Sequence, residues 1–211
     1  KPDIIHAHNA LYGGLLARKI SKKYTIPYLI TEHSSYFSRG LVPNTLYSKV
    51  LDAYKNTNCL AVVSPFLGKE LTRIIGISAK KWKWIPNVLE KEFEQFIHQP
   101  LGRKNTDTFI FTSIGSFIPI KGHLNLIKAF SDTFSATEKV FLKIYGGGPL
   151  RDHMIQLVQK LNRAHQIHIG EYLNRKEIIN LFKQSHCFVL PSEIETFGVV
   201  LIEAMSFGLP V

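Results

Sequence analysis

Two carboxylates, Glu195 and Glu203, stand in the segment PSEIETFGVVLIEAM at residues 191–205, with the spacing Glu-x7-Glu. The run before them, CFVLPS, reads as a strand that stops at Pro191. The apolar run after Phe197-Gly198 reads as a helix ending near Gly208, a C′ glycine. One acid then lies on the loop and the other more than a turn inside the helix. The mouth of a strand–loop–helix unit is where α/β sheets bind ligands. Carboxylates only accept hydrogen bonds, so they suit sugar hydroxyls and not phosphates. Glu203 has the chemistry to hold a ribose diol through charge-assisted bonds of about 1.5–3 kcal/mol each. Glu195 could hold the hydroxyls of a second sugar. Amides near Gly198 and the helix dipole suit an anion such as a diphosphate. An ordinary acid near a helix N-terminus would equally account for Glu195. Glu203 is harder to dismiss, because it interrupts the apolar run VVLI-E-AM.

Further segments carry complementary chemistry. In FIFTSIGSFIPIKGHLNLIKAF, residues 109–130, a strand ends at Gly115 and Lys121-Gly122 opens a helix. A lysine beside a glycine at such a loop suits a phosphate, although a surface lysine and a helix-start glycine would give the same letters. The P-loop string is not matched. In YGGGPLRDHM the glycines Gly146–Gly148 follow a strand and Pro149 follows them, a tight strand-to-helix turn that bares backbone to a ligand. G-x-G-x-x-G is not matched, and a plain turn fits as well. His33 ends the strand YLITEH and could hydrogen-bond a sugar or phosphate, or be a satisfied structural group. His6 and His8 end DIIHAH in the same manner. The chain contains no D-x-D, so no motif holds a diphosphate through a metal, and Lys121 with helix amides could supply that charge.

These residues must be positioned by alternating strands and helices. The strand candidates are Asp3–His8, Tyr28–His33, Cys59–Ser64, Lys83–Pro86, Phe109–Gly115, Val140–Gly146, Ile167–Gly170 and Cys187–Pro191. Several are continuous apolar runs, as in strands buried on both faces. Helical stripes lie between them: Leu67, Leu71, Ile74 and Ile75; Leu150, Met154, Leu157, Val158 and Leu161; and Leu11, Leu15, Leu16 and Ile20. The alternation predicts parallel sheets in doubly wound α/β units. It breaks once, in the polar stretch from about Glu90 to Thr108, which reads as inter-domain linker and is bounded at 96–107 between a domain at 1–95 and another at 108–211, with a cleft between them.

The 211 residues suffice for a real core and contain no apolar run of membrane-spanning length. The formal charge of +10 predicts attraction to anions such as sugar nucleotides or anionic lipid. The basic residues are scattered and accompany no nucleic-acid motif, so nucleic acid is not expected as a partner. Cys59 and Cys187 each start an apolar strand, which predicts buried thiols in a reducing compartment, and no metal-ligand spacing appears. KPDIIHAH opens directly on a strand and GLPV stops where another should begin, so a fragment is expected.

Together these segments resemble the retaining GT-B glycosyltransferases of glycosyltransferase family 4. PDIIHAH, IPYLITEH, LAVVSPF and WIPNVLEKEF resemble the second half of its N-terminal domain. IGSFIPIKGHLNLIKAF, IYGGGPLRDH, GEYLNRKEIINLF and PSEIETFGVVLIEAMSFGLPV resemble most of its donor-binding domain, the last matching the family's E-x7-E signature. The resemblance implies a GT-B fold of two Rossmann-like, doubly wound domains whose parallel sheets face each other across a cleft. It implies transfer of a sugar, with retention, from a nucleotide-diphospho-sugar, UDP- or GDP-linked, to a glycan or lipid-linked glycan. No cofactor and no metal would be needed, and the enzyme would work in the cytoplasm; the basic residues Lys19, Lys22 and Lys23, with Lys80, Lys81 and Lys83, could bring it into peripheral contact with an anionic membrane. By resemblance, Glu203 binds the donor ribose, and Glu195 with the amides at Phe197 and Gly198 binds the donor sugar. Lys121 neutralises the diphosphate beside Gly115, Ser116, Gly146 and Gly148; His33 sits beside the donor sugar; Tyr172 and Leu173 lie near the base. His33, Glu195 and Lys121 are the implied catalytic groups. The family often carries an arginine where this chain has Ser116, which shifts charge compensation onto Lys121. A non-hydrolysing sugar-nucleotide epimerase and a catalytically silent GT-B scaffold share the architecture and stay open as alternatives.

Overall fold

The computed structural model describes residues 2–37, 39–76, 81–97 and 107–211. The chain divides into two compact units, one of residues 1–87 with Glu195–Phe197 and one of 88–194 with 198–211.

The first unit contains β1 (Ile5–His8), β2 (Tyr28–Glu32), β3 (Cys59–Val62) and β4 (Trp82–Trp84), all parallel in the order β1-β2-β3-β4. Ala7 pairs with Ile30 and Ile30 with Leu60, so apolar side chains fall in register across the sheet. Helices α1 (Leu15–Tyr24), α2 (Asn44–Asn56) and α3 (Pro65–Ile75) connect the strands. Local sequence sets the limits of α3. The Ser64 side chain accepts from the Leu67 amide, Pro65 takes the first turn, and Gly76 closes the helix at φ 64°. The α1 stripe departs from the reading above. Leu11 lies in a π-type turn at Ala10–Gly14, and Leu16 is 58% exposed. A Cβ at Gly13 would come within 2.6 Å of the His8 carbonyl oxygen, so the chain crosses its own strand end before α1 begins. Ile30, Leu60, Val62, Leu67 and Leu71 centre the core.

The second unit contains β5 (Phe109–Ile114), β6 (Val140–Tyr145), β7 (Ile167–Gly170) and β8 (Cys187–Phe188), parallel in the order β7-β6-β5-β8. Its helices are α4 (Lys91–Glu94), α5 (His123–Thr133), α6 (Arg151–Lys160), α7 (Arg175–Gln184) and α8 (Val199–Ser206). The order reverses between β5 and β8: the chain runs outward through β6 and β7, then returns to the far side of β5. Ligands in open α/β sheets bind at this switch point. The stretch from Glu90 does not behave as a free linker. Phe93 of α4 is fully buried against Phe182 and Phe207, which attaches residues 88–97 to the second unit. The rest of the expected linker, 98–106, lies outside the described residues. Cys59 and Cys187 stand at the starts of β3 and β8 as half-buried thiols, more accessible than expected.

Candidate functional site

Four loops at the C-terminal ends of the second sheet are tied together by backbone. The Gly115 amide donates to the Tyr145 carbonyl at 3.0 Å and the Phe117 amide to the Gly147 carbonyl at 2.8 Å, joining the loops after β5 and β6. A Cβ at Gly146 (φ 153°) would lie 2.0 Å from the Gly115 oxygen. One at Gly148 (φ 146°) would lie 2.8 Å from the Phe117 oxygen. The glycine cluster is therefore required by loop-on-loop packing. The loop after β7 joins through Tyr172, which is exposed and donates from its hydroxyl to the Gly147 carbonyl at 3.1 Å. Leu173 packs into the apolar cluster beneath. The loop after β8 joins through Gly122 (φ 70°), where a Cβ would lie 2.1 Å from the Pro191 oxygen, and through the Glu193 amide, which donates to the Ile120 carbonyl at 2.9 Å. Lys121 closes the 3-10 turn Pro119–Lys121 between these loops. Ser116 is exposed on the loop after β5.

Glu203 lies on α8, which starts after Gly198 at φ 73°. Its side chain is 5% exposed, and its Oε1 accepts a 2.8 Å bond from Arg175 Nη1. Arg175 is 47% exposed and also pairs with Glu90. Burial raises the Glu203 pKa; the Arg175 charge opposes the shift and the Glu90 charge adds to it. Oε2 of Glu203 accepts no bond among the described residues. One oxygen is thus anchored while the other remains able to accept from a hydroxyl. Arg175 was not singled out from the sequence. It opens α7, whose capping box of Asn174 and Glu177 was the local signal of a helix start.

Beside Lys121, His123 begins α5. It is 2% exposed, with neither ring nitrogen hydrogen-bonded among the described residues. Burial, with a smaller effect of the Lys121 charge, pushes its pKa down to about 4, so it is neutral at pH 7. The ring sits edge-on to Phe117 at 5.4 Å and beside Gly115.

Of the remaining residues expected to act, Glu195 and Phe197 group with the first unit, and Glu195 Oε1 accepts from the Thr196 amide at 3.1 Å. His33, expected to end its strand, lies in the first unit one residue beyond β2, which stops at Glu32. Its Nε2 is 3.0 Å from Nδ1 of His8, whose ring stacks on His33 at 5.2 Å and lies tilted against His6 at 4.4 Å. His6 Nε2 lies 2.8 Å from Thr31 Oγ1. Burial and the neighbouring histidines lower the His6 pKa. The residue that sets this geometry, Glu32, was also missed. It is 1% exposed and accepts from the Ala10 amide (2.9 Å), the Tyr54 hydroxyl (2.5 Å), the Ser34 amide and hydroxyl (both 2.9 Å) and the His33 amide (3.2 Å). The Asn9 side chain accepts from the same His33 amide at 3.0 Å. Among the described residues no group of three or more His, Cys, Asp or Glu is placed to hold a metal ion.

Comparison with known proteins adds to this geometry. Residues 94–211 match the family model for glycosyl transferases group 1, and residues 1–93 match that for glycosyltransferase family 4. A glycosyltransferase of Methanocaldococcus jannaschii is 31% identical over 79% of this chain and 43% of its own length. The sulfoquinovosyl transferase of Arabidopsis thaliana is 26% identical over all of this chain and 42% of its own length. Among solved structures, Anabaena HepE in complex with UDP superposes with a TM-score of 0.79 at 20% identity, over 99% of this chain and 58% of that one. Sucrose-phosphate synthase of Thermosynechococcus elongatus gives 0.74 at 22%, over 99% and 55%. The fold is therefore GT-B, and the chain spans about half the length of the relatives it matches.

Proposed function

Because this chain belongs to the glycosyl transferases group 1 family, we propose that the protein transfers a sugar, with retention, from a nucleotide-diphospho-sugar to a hydroxyl of a glycan or lipid-linked glycan. The observation that carries the donor class is Glu203: a buried carboxylate on a switch-point helix, with one oxygen held by Arg175 and the other open to a ribose hydroxyl. Lys121, at the junction of the loops after β5 and β8, neutralises the diphosphate as it departs. Ser116 adds no charge there, so most of that stabilisation falls to Lys121 and to backbone amides. Gly115, Gly146 and Gly148 let the diphosphate approach bare backbone, and we assign the base to the exposed Tyr172 ring, with Leu173. Glu195, with the amides at Phe197 and Gly198, is assigned to the donor sugar, and so is His33, whose amide is held by Asn9 and Glu32.

The chemistry is mostly positioning and stabilisation of the leaving group. The acceptor hydroxyl attacks from the face the diphosphate leaves, with oxocarbenium character on the sugar and no enzyme nucleophile. No metal is required in this scheme, because the lysine and the helix amides supply the charge. HepE was solved with UDP and with UDP-glucose, so UDP-sugars are the first donors to test. The reaction takes place in the cytoplasm with peripheral contact to an anionic membrane. Among the described residues no helix is long and apolar enough to cross one.

The test is donor binding and turnover by the intact protein over a panel of UDP- and GDP-sugars, with Lys121→Ala and Glu203→Ala. Loss of one charge-assisted bond predicts at least about a tenfold loss of donor affinity in Glu203→Ala, and Lys121→Ala lowers turnover. Unchanged affinity and turnover in both would sink the assignment. Donor binding without transfer to any acceptor would favour a silent scaffold, and conversion of the free donor without acceptor would favour an epimerase.

A further inference from the structure

The net charge is distributed very unevenly. Residues 1–87 contain thirteen Lys and Arg against four Asp and Glu, a net +9; residues 88–211 contain thirteen against twelve, a net +1. One of the four acids within residues 1–87, Glu32, is buried, which leaves the surface of this stretch more basic still. Between α1 and α2 a groove of about 690 Å³ collects much of this charge. Leu15 and Leu46 give it apolar walls, and Arg18, Lys19, Lys22 and Lys49 line it. Its one acid, Asp52, pairs with Arg18 Nε at 2.9 Å and Lys22 Nζ at 3.4 Å. Lys19 and Lys49 form no ion pair among the described residues. Next to the groove on the same helix, Leu16 points outward, 58% exposed, and Tyr47 of α2 is 41% exposed.

We propose that the α1–α2 groove is the site where the protein docks on an anionic membrane, taking a lipid phosphate headgroup between Lys19 and Lys49 while Leu16 enters the interface. Charge complementarity selects an anion, and apolar walls beside an outward leucine select an amphiphile over a wholly polar phosphate. The proposal deepens the membrane contact named above and rests on it, by assigning the surface; it is independent of donor binding.

The experiment is co-sedimentation of the intact protein with vesicles of phosphatidylcholine containing one-third phosphatidylglycerol, and with phosphatidylcholine alone. Binding is expected only to the anionic vesicles and declines with added salt. Neutralising the groove with Lys19→Gln and Lys49→Gln weakens it about fivefold per charge, roughly twenty-five-fold together. Asp52→Asn adds net positive charge and tightens binding. The pair Lys69→Gln and Arg73→Gln, of equal charge change on α3 and outside the groove lining, leaves binding within about twofold in an assay at physiological salt. If this control pair weakens binding as much as the groove pair, or if the groove pair changes nothing, the assignment of the groove is wrong. Failure to bind any vesicle removes the membrane contact as well. Displacement by inorganic phosphate at matched ionic strength identifies a soluble-phosphate site and overturns the membrane source. Nucleotide-sugar affinity, measured on the same variants by calorimetry, separates these failures from failure of the transferase reading.

Discussion

Replacing Arg175 with methionine removes the one cation on Glu203 while keeping much of the side-chain volume. The lost bond is charge-assisted, about 1.5–3 kcal/mol by itself. Stranding a fully buried carboxylate costs about 3–5 kcal/mol. Glu203 is nearly buried, but Arg175 is half exposed, so water reaches the vacated side and the loss falls toward the lower figure. We expect about 2 kcal/mol near pH 8. The loss depends on pH in a definite direction. Burial already raises the folded pKa of Glu203 above its ordinary value of 4.5, so between those two values the folded state binds more protons than the unfolded state. Stability therefore falls as pH rises through that window. Removing Arg175 raises the folded value further and extends the window upward. Because that window lies at the acid end, Arg175→Met loses less at pH 5 than at pH 8, where the stranded carboxylate bears the full amount. Urea unfolding at the two pH values, followed by circular dichroism, measures this difference. In a Glu203→Gln background no charge is stranded, and Arg175→Met should lose much less, giving a coupling of about 1.5–2 kcal/mol at pH 8 in the double-mutant cycle. An equal loss at both pH values, or additive single mutants, would refute the view that Arg175 holds Glu203 ionised and oriented.

Two further outcomes concern His123 and the glycine turns. His123, whose pKa falls from 6.5 to about 4 on burial, is neutral when folded. Its contribution is fully present above pH 6.5 and is lost as pH falls toward 4, a change on the order of 3 kcal/mol; His123→Leu should flatten this part of the stability–pH curve measured by urea titration. Gly146→Ala would put a methyl 2.0 Å from the Gly115 oxygen at a φ of 153° and should lose upwards of about 2 kcal/mol. Gly76→Ala, at φ 64° in open space, should lose only about 1 kcal/mol, so equal denaturant midpoints for the two would contradict the loop-packing account.

Much of the architecture was legible because it is written in local chemistry. Each of the eight strand runs forms a strand, since apolar β-rich runs bounded by turns have few other ways to be buried. Gly198 and Gly208 mark the limits of α8 through backbone requirements that one residue can signal. The errors arise where tertiary contact decides. Nothing local to EKEFEQF shows that Phe93 inserts between Phe182 and Phe207, so the stretch looked like linker. Leu11 fitted the stripe of α1, but the crossing of Gly13 over His8 displaces it from the helix. Glu32 sat unnoticed in a strand because its partners come from Ala10, Ser34 and Tyr54.

Arg175 shows how a residue of this kind could have been found. A cation at the first position of a helix opposes the macrodipole and is unfavourable by about 0.3–1 kcal/mol, while Asn174 and Glu177 follow the local rules for a helix start. A residue that contradicts its own neighbourhood needs a reason elsewhere in the fold. Glu203 contradicts its neighbourhood too, as a charge within an apolar helix. The two exceptions resolve each other: Arg175 makes the buried acid tolerable, and Glu203 with Glu90 makes the misplaced cation tolerable. Stability alone does not require this arrangement, since an apolar pair of similar volume would often serve as well or better. Retaining a buried charge with one oxygen unused is what a site for a hydroxyl ligand requires.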